Sequence, residues 1–321
     1  MEKRQSLDLT VLLPTYLDGM SLRDIVVKLD KVIRDRYVRS KLKFIVIDES
    51  LGSDDNLNIF IHEIKKSQLW KNRVEVLTPP YRSGNQGAIL WALRTINWKV
   101  SKADSILAVM DSDGEDNPND LLKLLDKFLE NRLDVVYAIR GKRKASFSFK
   151  FGRYMFSKLF RILTGKQFEG GNFSVIRTKW LVECLKLGNF TNSFAGELIS
   201  IAAKKASVKC DRSPRWDGTS KTSLIGLITF GFRQLIPWSE IIAVRSFIFF
   251  IASSTFSACT SIMVFLLKIY SDFSTPAWTT LIVGFSVLSG FLTFLLFIVS
   301  LVLVVQVDAT KRMIHSVEST K

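Results

Sequence analysis

The sequence predicts an α/β fold, a parallel sheet covered by helices, joined to a pair of membrane-spanning helices. Three observations carry this reading. Apolar β-rich runs alternate with helical patterns over residues 9–139, acidic clusters follow the second and fourth of those runs, and residues 246–267 and 278–307 contain no charged side chain. Such alternation buries a sheet between helices and gathers ligands at the carboxyl ends of its strands.

The first strand is read at residues 9–13 (LTVLL), followed by a helix over 21–34, a strand at 43–47 (KFIVI) and a helix over 56–66. A short strand at 74–77, a helix over 87–96 and a strand at 105–110 (SILAVM) come next. Pro118 marks the start of a helix over 119–130, because its missing N–H would have no partner in a first turn anyway. A strand at 135–139 closes the series. Residues 224–238 (LIGLITFGFRQLIPW) interleave Leu, Ile, Phe and Trp with a single Arg, the pattern of an amphipathic helix lying in a membrane interface before Pro237 redirects the chain; a plain core helix is the competing reading.

A crossing needs about 20 apolar residues for a hydrocarbon core of roughly 30 Å. The 22-residue run fits, and the 30-residue run must tilt or protrude. Arg245 precedes the first run while Lys311 and Arg312 follow the second, so both termini are expected in the cytoplasm. Residues 1–10 (MEKRQSLDLT) are polar and do not read as a signal peptide. No charge lies inside either run, which leaves transport and proton relay without support.

With 47% hydrophobic residues in 321, the chain is neither disordered nor a disulfide scaffold. Cys184, Cys210 and Cys259 show no CxxC spacing and read as reduced thiols. His62 and His315 lie far apart, so a metal would be held by oxygen, which selects Mg²⁺ or Mn²⁺ over zinc. Residues 1–245 carry 41 basic and 27 acidic side chains. That excess faces lipid head groups, lipid phosphates or nucleotide phosphates; no nucleic-acid recognition motif accompanies it.

Chemistry is written in the loops. Asp48-Glu49-Ser50 follows the second strand, Asp54-Asp55 lies just beyond, and Asp111-Ser112-Asp113-Gly114-Glu115-Asp116 follows the fourth. Asp111 and Asp113 project from one short loop and can share a cation that bridges two phosphates. On the basic side, Arg140 ends the last strand of the series, and Arg153 and Ser157 stand four apart, on one helix face. Guanidinium forks suit a phosphomonoester better than ammonium groups do.

Val11-Leu12-Leu13-Pro14-Thr15-Tyr16, Asp48-Glu49-Ser50, Gly84-Asn85-Gln86-Gly87 and Met110-Asp111-Ser112-Asp113, in that order, resemble the motifs of the family 2 glycosyltransferases, whose nucleotide-sugar-binding domain has the Rossmann-like GT-A fold. The resemblance is nearest to the polyprenyl-phosphate branch, and it covers residues 8–225 by motif and the rest by architecture. It implies that Pro14, Thr15, Tyr16, Asp18, Asp48 and Asn85 serve the nucleotide, with Asp48 on the base or ribose. Asp111 and Asp113 would take the metal and diphosphate, and Glu115 would be a third metal ligand where the branch carries Gln. Departures are Glu49 in place of a second Asp and a loop lengthened by Leu51-Gly52.

The resemblance further implies that Arg140, Arg153 and Ser157 engage an acceptor phosphate, joined by Arg215, Ser220 and Lys221 of an Arg…Gly-x-Ser-Lys element. Glu169-Gly170-Gly171-Asn172-Phe173 matches a segment that precedes a strand near the sugar pocket. Glu197 falls where many members carry an acidic base; since phosphate is ionised with a second pKa of about 6, a structural or sugar-binding role is the alternative. The catalytic set is therefore Asp111, Asp113, Arg140 and Glu197.

The expected organisation is a cytoplasmic catalytic domain at 1–221, an interfacial segment at 222–245, a membrane hairpin at 246–307 and a tail at 308–321, in a bacterial inner or plasma membrane. The expected activity is an inverting, Mg²⁺- or Mn²⁺-dependent transfer of one sugar from a UDP- or GDP-linked donor to polyprenyl phosphate. A processive polysaccharide synthase is one alternative, suggested by Arg215-Trp216 but with Arg212 where such enzymes carry Gln. An inactive lipid-binding scaffold is the other. Gly284 and Gly290 are candidate contacts for a homo-oligomer.

Overall fold

The computed structural model describes residues 7–38, 40–98, 105–141, 147–167, 170–211, 213, 224–270 and 276–319. Seven strands, β1 (Asp8–Thr15), β2 (Lys41–Asp48), β3 (Val74–Leu77), β4 (Ser105–Val109), β5 (Val135–Arg140), β6 (Ser174–Arg177) and β7 (Lys205–Cys210), make one sheet in the order β3-β2-β1-β4-β6-β5-β7. The helices are α1 (Gly19–Arg36), α2 (Asp55–Lys66), α3 (Gly84–Thr95), α4 (Pro118–Glu130), α5 (Phe147–Thr164), α6 (Thr178–Lys186), α7 (Phe194–Ser200), α8 (Leu224–Leu235), α9 (Ser239–Tyr270) and α10 (Pro276–Ser319).

Strand β1 shows why the sheet lies in the interior. Its alternate side chains serve two cores: Val11 and Leu13 pack with Phe44, Leu22, Leu29 and Phe128 on the face covered by α1, α2 and α4. Leu12 packs with Ile45, Ile89, Leu93 and Leu198 on the face covered by α3, α6 and α7. A period of two directs neighbouring residues to opposite faces, and both faces are dry, so the strand reads as an uninterrupted apolar run.

Two departures from the expected parallel series stand out. β5 does not adjoin β4; β6 lies between them and runs antiparallel to both. β7 pairs in parallel with β5 at the sheet edge. Its sequence KASVKC carries no apolar run, because an edge strand that is only half-buried needs none.

Gly19 opens α1 at a point of backbone contact. Its N–H donates to Asp54 Oδ2 at 2.9 Å, while Asp54 Oδ1 accepts from Leu57 N–H at 3.1 Å and caps α2. Asp54 is thus a structural carboxylate. A Cβ on residue 19 would lie 2.3 Å from the Leu57 nitrogen. Gly19→Ala is expected to separate the two helix starts and lower stability by about 2–3 kcal/mol, read as a lower thermal midpoint.

The last two helices pack along each other through Phe247 on Phe297, Phe250 on Phe294 and a Ser300 to Ser246 hydroxyl bond of 3.3 Å. Residues 228–270 and 280–307 contain the two candidate membrane spans, and almost none of either is buried in the protein. They are therefore not core helices. Their base is tied to the sheet domain: Trp238 meets Phe160 of α5 edge-on, and Arg245 Nη1 donates to the Ile162 carbonyl at 2.6 Å. In α8 Gln234 is fully buried, while Ile228 and Phe232 are exposed.

Candidate active site

Parallel pairing brings the ends of β1, β2 and β4 to one edge, with Thr15 opposite Asp48 and Leu12 opposite Val109. The loops beyond are stitched together. Glu49 N–H donates to the Thr15 carbonyl at 2.9 Å, Ser112 Oγ to the Pro14 carbonyl at 2.8 Å, and Ser21 Oγ to the Ser112 carbonyl at 2.8 Å. Gly114 takes a φ of +82°, where a side chain would be strained, and lets the acidic loop reverse.

Asp111 stands half-buried at the mouth of this edge, while Asp113, Glu115 and Asp116 are buried behind it. Asp111 Oδ1 accepts from Asn85 Nδ2 at 3.0 Å and from Asn172 Nδ2 at 3.3 Å, and Asn172 Nδ2 also reaches Asn85 Oδ1 at 2.7 Å. The antiparallel course of β6 explains the meeting. Val109 pairs with Ser174, so the residue two beyond one strand's end faces the residue two before the other's start.

Toward β2, the Arg82 guanidinium lies 3.7 Å from the Tyr16 ring centroid, a flat cationic stack beside Thr15. Glu49 is buried and accepts from Ser83 N–H at 3.1 Å. Burial pushes its carboxyl above the ordinary carboxylate value, a shift that the Ser83 and Gly84 amides and the Arg82 charge only partly offset. The folded protein therefore holds this proton more tightly than the unfolded chain. The associated stability is present below the unfolded value and lost as pH rises through the folded one. Glu49→Gln is expected to raise the thermal midpoint relative to the native chain at pH 8, with the gap closing near pH 4. Leu17 and Leu51, both at a φ of 55°, hold strained left-handed turns beside these loops.

Several expected residues take other places. Asp48 is buried, with Oδ1 accepting from Ser50 N–H at 2.8 Å and Oδ2 from Gly52 N–H at 2.9 Å. Its carboxylate holds its own lengthened loop. Asp18 precedes α1 without making a side-chain cap. Glu197, expected as a catalytic group, is buried in α7 and accepts from the backbone N–H groups of Phe190, Thr191 (2.8 Å) and Asn192 (2.9 Å). It anchors a loop through these bonds, the structural role that stands as the alternative to a base.

Among the described residues no three His, Cys, Asp or Glu side chains are grouped to hold a metal ion, so the trio Asp111, Asp113 and Glu115 is not assembled as a ligand set. The reason is local: Asp113 Oδ1 turns back to accept from Glu115 N–H at 3.0 Å. Asp111 and Asp113 remain as two hard oxygen donors, which fits an ion such as Mg²⁺ that takes one or two carboxylates and completes its shell with substrate phosphate and water. On the basic side Arg140 ends β5 and Arg153 lies in α5, and their side chains are outside the described set; Ser157 is exposed on α5. Arg215, Ser220 and Lys221 lie outside the described residues. Gln86 and Asn172 stand in motifs quoted from the sequence but carry no individual role there, and Arg82 escaped the sequence reading, since an amide or a stacked guanidinium has no spacing signature of its own.

Residues 10–185 match the family model described as Glycosyl transferase family 2. Two proteins of Bacillus subtilis (strain 168) are similar along most of their length. Uncharacterized glycosyltransferase YkcC is 24% identical over 294 residues, covering 89% of this chain and 85% of that protein. Uncharacterized glycosyltransferase YkoT is 23% identical over 297 residues, covering 88% and 82%. Among solved structures, glucosyl-3-phosphoglycerate synthase from Mycobacterium tuberculosis in complex with Mn²⁺ and uridine-diphosphate-glucose superposes with a TM-score of 0.48 at 14% identity, over 74% of this chain and 79% of that one.

Proposed function

Because the chain belongs to glycosyl transferase family 2 and has its GT-A fold, we propose that it transfers a single sugar from a nucleotide donor to a polyprenyl phosphate at the cytoplasmic face of a membrane. One observation carries the choice of acceptor. α5, which begins seven residues after Arg140 ends β5, is bonded to the base of the exposed apolar helices through Phe160, Trp238 and the Arg245 to Ile162 contact. The phosphate-facing side of the catalytic domain is thereby fastened to the two candidate spans, where a lipid phosphate would be presented.

The nucleotide sits at the carboxyl edge of β1, β2 and β4, with its base near Tyr16 and Arg82 and its diphosphate toward Asp111. Asn85 and Asn172 donate to the Asp111 carboxylate and hold its position. Asp111 and Asp113 would hold Mg²⁺ or Mn²⁺, which supplies charge neutralisation for the departing diphosphate. An oxygen of the lipid phosphate attacks the anomeric carbon as the bond to the donor's β-phosphate oxygen breaks, with inversion. Arg140, Arg153 and Ser157, with Arg215, Ser220 and Lys221, receive the acceptor phosphate. That nucleophile carries no proton to remove, so positioning does the work that a base would otherwise do.

The proposed organisation keeps the catalytic domain and both termini in the cytoplasm, with residues 246–307 as the membrane hairpin of a bacterial inner membrane. Gly284 and Gly290 have open space where a Cβ would stand, which suits a close contact with a second copy. The test offers radiolabelled UDP- and GDP-sugars with short-chain polyprenyl phosphate, in Mg²⁺, Mn²⁺ or EDTA. Metal-dependent labelling of the lipid by one sugar is the expected result. Labelled polymer, or label on a water-soluble acceptor only, would overturn the choice of acceptor.

A further inference from the structure

Behind Asp111 lies a chain of side-chain amides whose direction is set by a single backbone group. Gln86, on α3, is buried and its Oε1 accepts from Ala195 N–H at 3.2 Å, in the first turn of α7. A backbone N–H can only donate, so the Gln86 amide is oriented with Nε2 pointing the other way. Nε2 donates to Asn172 Oδ1, in a contact that fixes Asn172, also buried, with Nδ2 forward. Asn172 Nδ2 then reaches Asp111 Oδ1 and Asn85 Oδ1, and the latter bond in turn leaves Asn85 Nδ2 for Asp111.

We infer that Gln86 and Asn172 are positioning residues for the donor site, a directional amide relay that presents two N–H donors to Asp111 and holds its carboxylate in one orientation. The functional half of this inference rests on the donor-site reading above. Each amide has both a donor and an acceptor end, so the relay has two polarities, and the other polarity would set an amide oxygen against the Asp111 carboxylate. The α7 N–H selects between them. Coupled hydrogen bonds of this kind also link the acidic loop to the segment 190–197 that Glu197 anchors. Among the described residues, the charged groups tied to Gln86 through these bonds are Asp111 ahead of it, on the loop after β4, and Glu197 behind it, on α7; Arg94 of α3 binds the Phe190 carbonyl at 2.9 Å.

The polarity is testable because glutamate copies the shape of Gln86 and reverses its chemistry. An ionised Gln86→Glu side chain cannot donate to Asn172 Oδ1, whereas its protonated form can. Gln86→Met removes both ends at every pH. Two readouts are made on the full-length protein in detergent. Thermal stability from pH 8 to pH 5 needs no ligand: the midpoint gap between Gln86→Glu and the native chain should narrow on acidification, while the Gln86→Met gap stays level. Calorimetric binding of UDP and of GDP, each with Mn²⁺, should weaken by roughly 10- to 100-fold in Gln86→Glu at pH 8, the size typical of a lost outer-sphere partner, and recover at low pH. Equal, pH-independent gaps for the two variants would overturn the relay. A native chain that binds neither nucleotide and transfers no sugar would overturn the donor-site reading instead, and with it the positioning role, while the stability series still decides the polarity.

Discussion

Asp111→Asn yields a folded protein whose sugar transfer is slower by roughly 10²- to 10³-fold, the loss that follows removal of one preorganised charge-stabilising group. The fold should survive because the substitution keeps an acceptor oxygen at Oδ1 for the Asn85 and Asn172 amides, and because Asp111 is only half-buried. What is lost is the negative charge at the mouth of the edge formed by β1, β2 and β4. Turnover with saturating nucleotide sugar and acceptor, set beside the thermal midpoint, checks this. A variant that retains native turnover would remove Asp111 from the mechanism; one that unfolds would make it a structural residue.

Glu197→Ala has the opposite profile. Its carboxylate collects the N–H groups of Phe190, Thr191 and Asn192 in a buried loop, and Phe190 there holds a left-handed φ of 60° while packing on Trp180 and Phe194. Alanine would strand these donors away from water, at about 1–3 kcal/mol for each. Loss of about 3–5 kcal/mol is expected, enough to unfold much of a marginally stable domain. Glu197→Gln keeps one acceptor oxygen and should fall between. Activity per folded molecule in the Gln variant should stay within about threefold of native, whereas a general base would cost on the order of 10²-fold or more. Rate and folded fraction measured on the same sample separate the two.

The strands of the first half were legible because each is buried on both faces and so is written in consecutive apolar residues, as in LTVLL and KFIVI. The acidic loops were legible because they follow such strands directly. β7 was not, since an edge strand of alternating Lys, Ser and Val looks like surface. The position of β6 was hidden for another reason: SVIR announces a strand but not its direction or its neighbours, which depend on pairings with residues 106–109 and 135–137 far away in the chain. Residue roles followed the same division. The position of Asp111 at a strand's end is written in its motif, but the hydrogen bonds of Asp48 and Glu197 depend on which backbone amides surround them. Amide groups at a strand's preceding loop are brought there by tertiary structure alone.

The interposed β6 has a consequence for synthesis. When the ribosome has delivered β1 to β4, those four strands can close into a sheet with Val109 and its neighbours on an unpaired margin. β5, made next, has no place on that margin, because its pairing is with β6 and β7. A nascent chain therefore waits with a bare strand edge until residues 174–177 emerge, and bare edges of this kind invite pairing with other chains. The half of the sheet that carries the acidic loops is built early and the half that carries Arg140 is added by insertion. Contacts of such long sequence separation form slowly, so the assembled cleft should be the last part of the domain to mature.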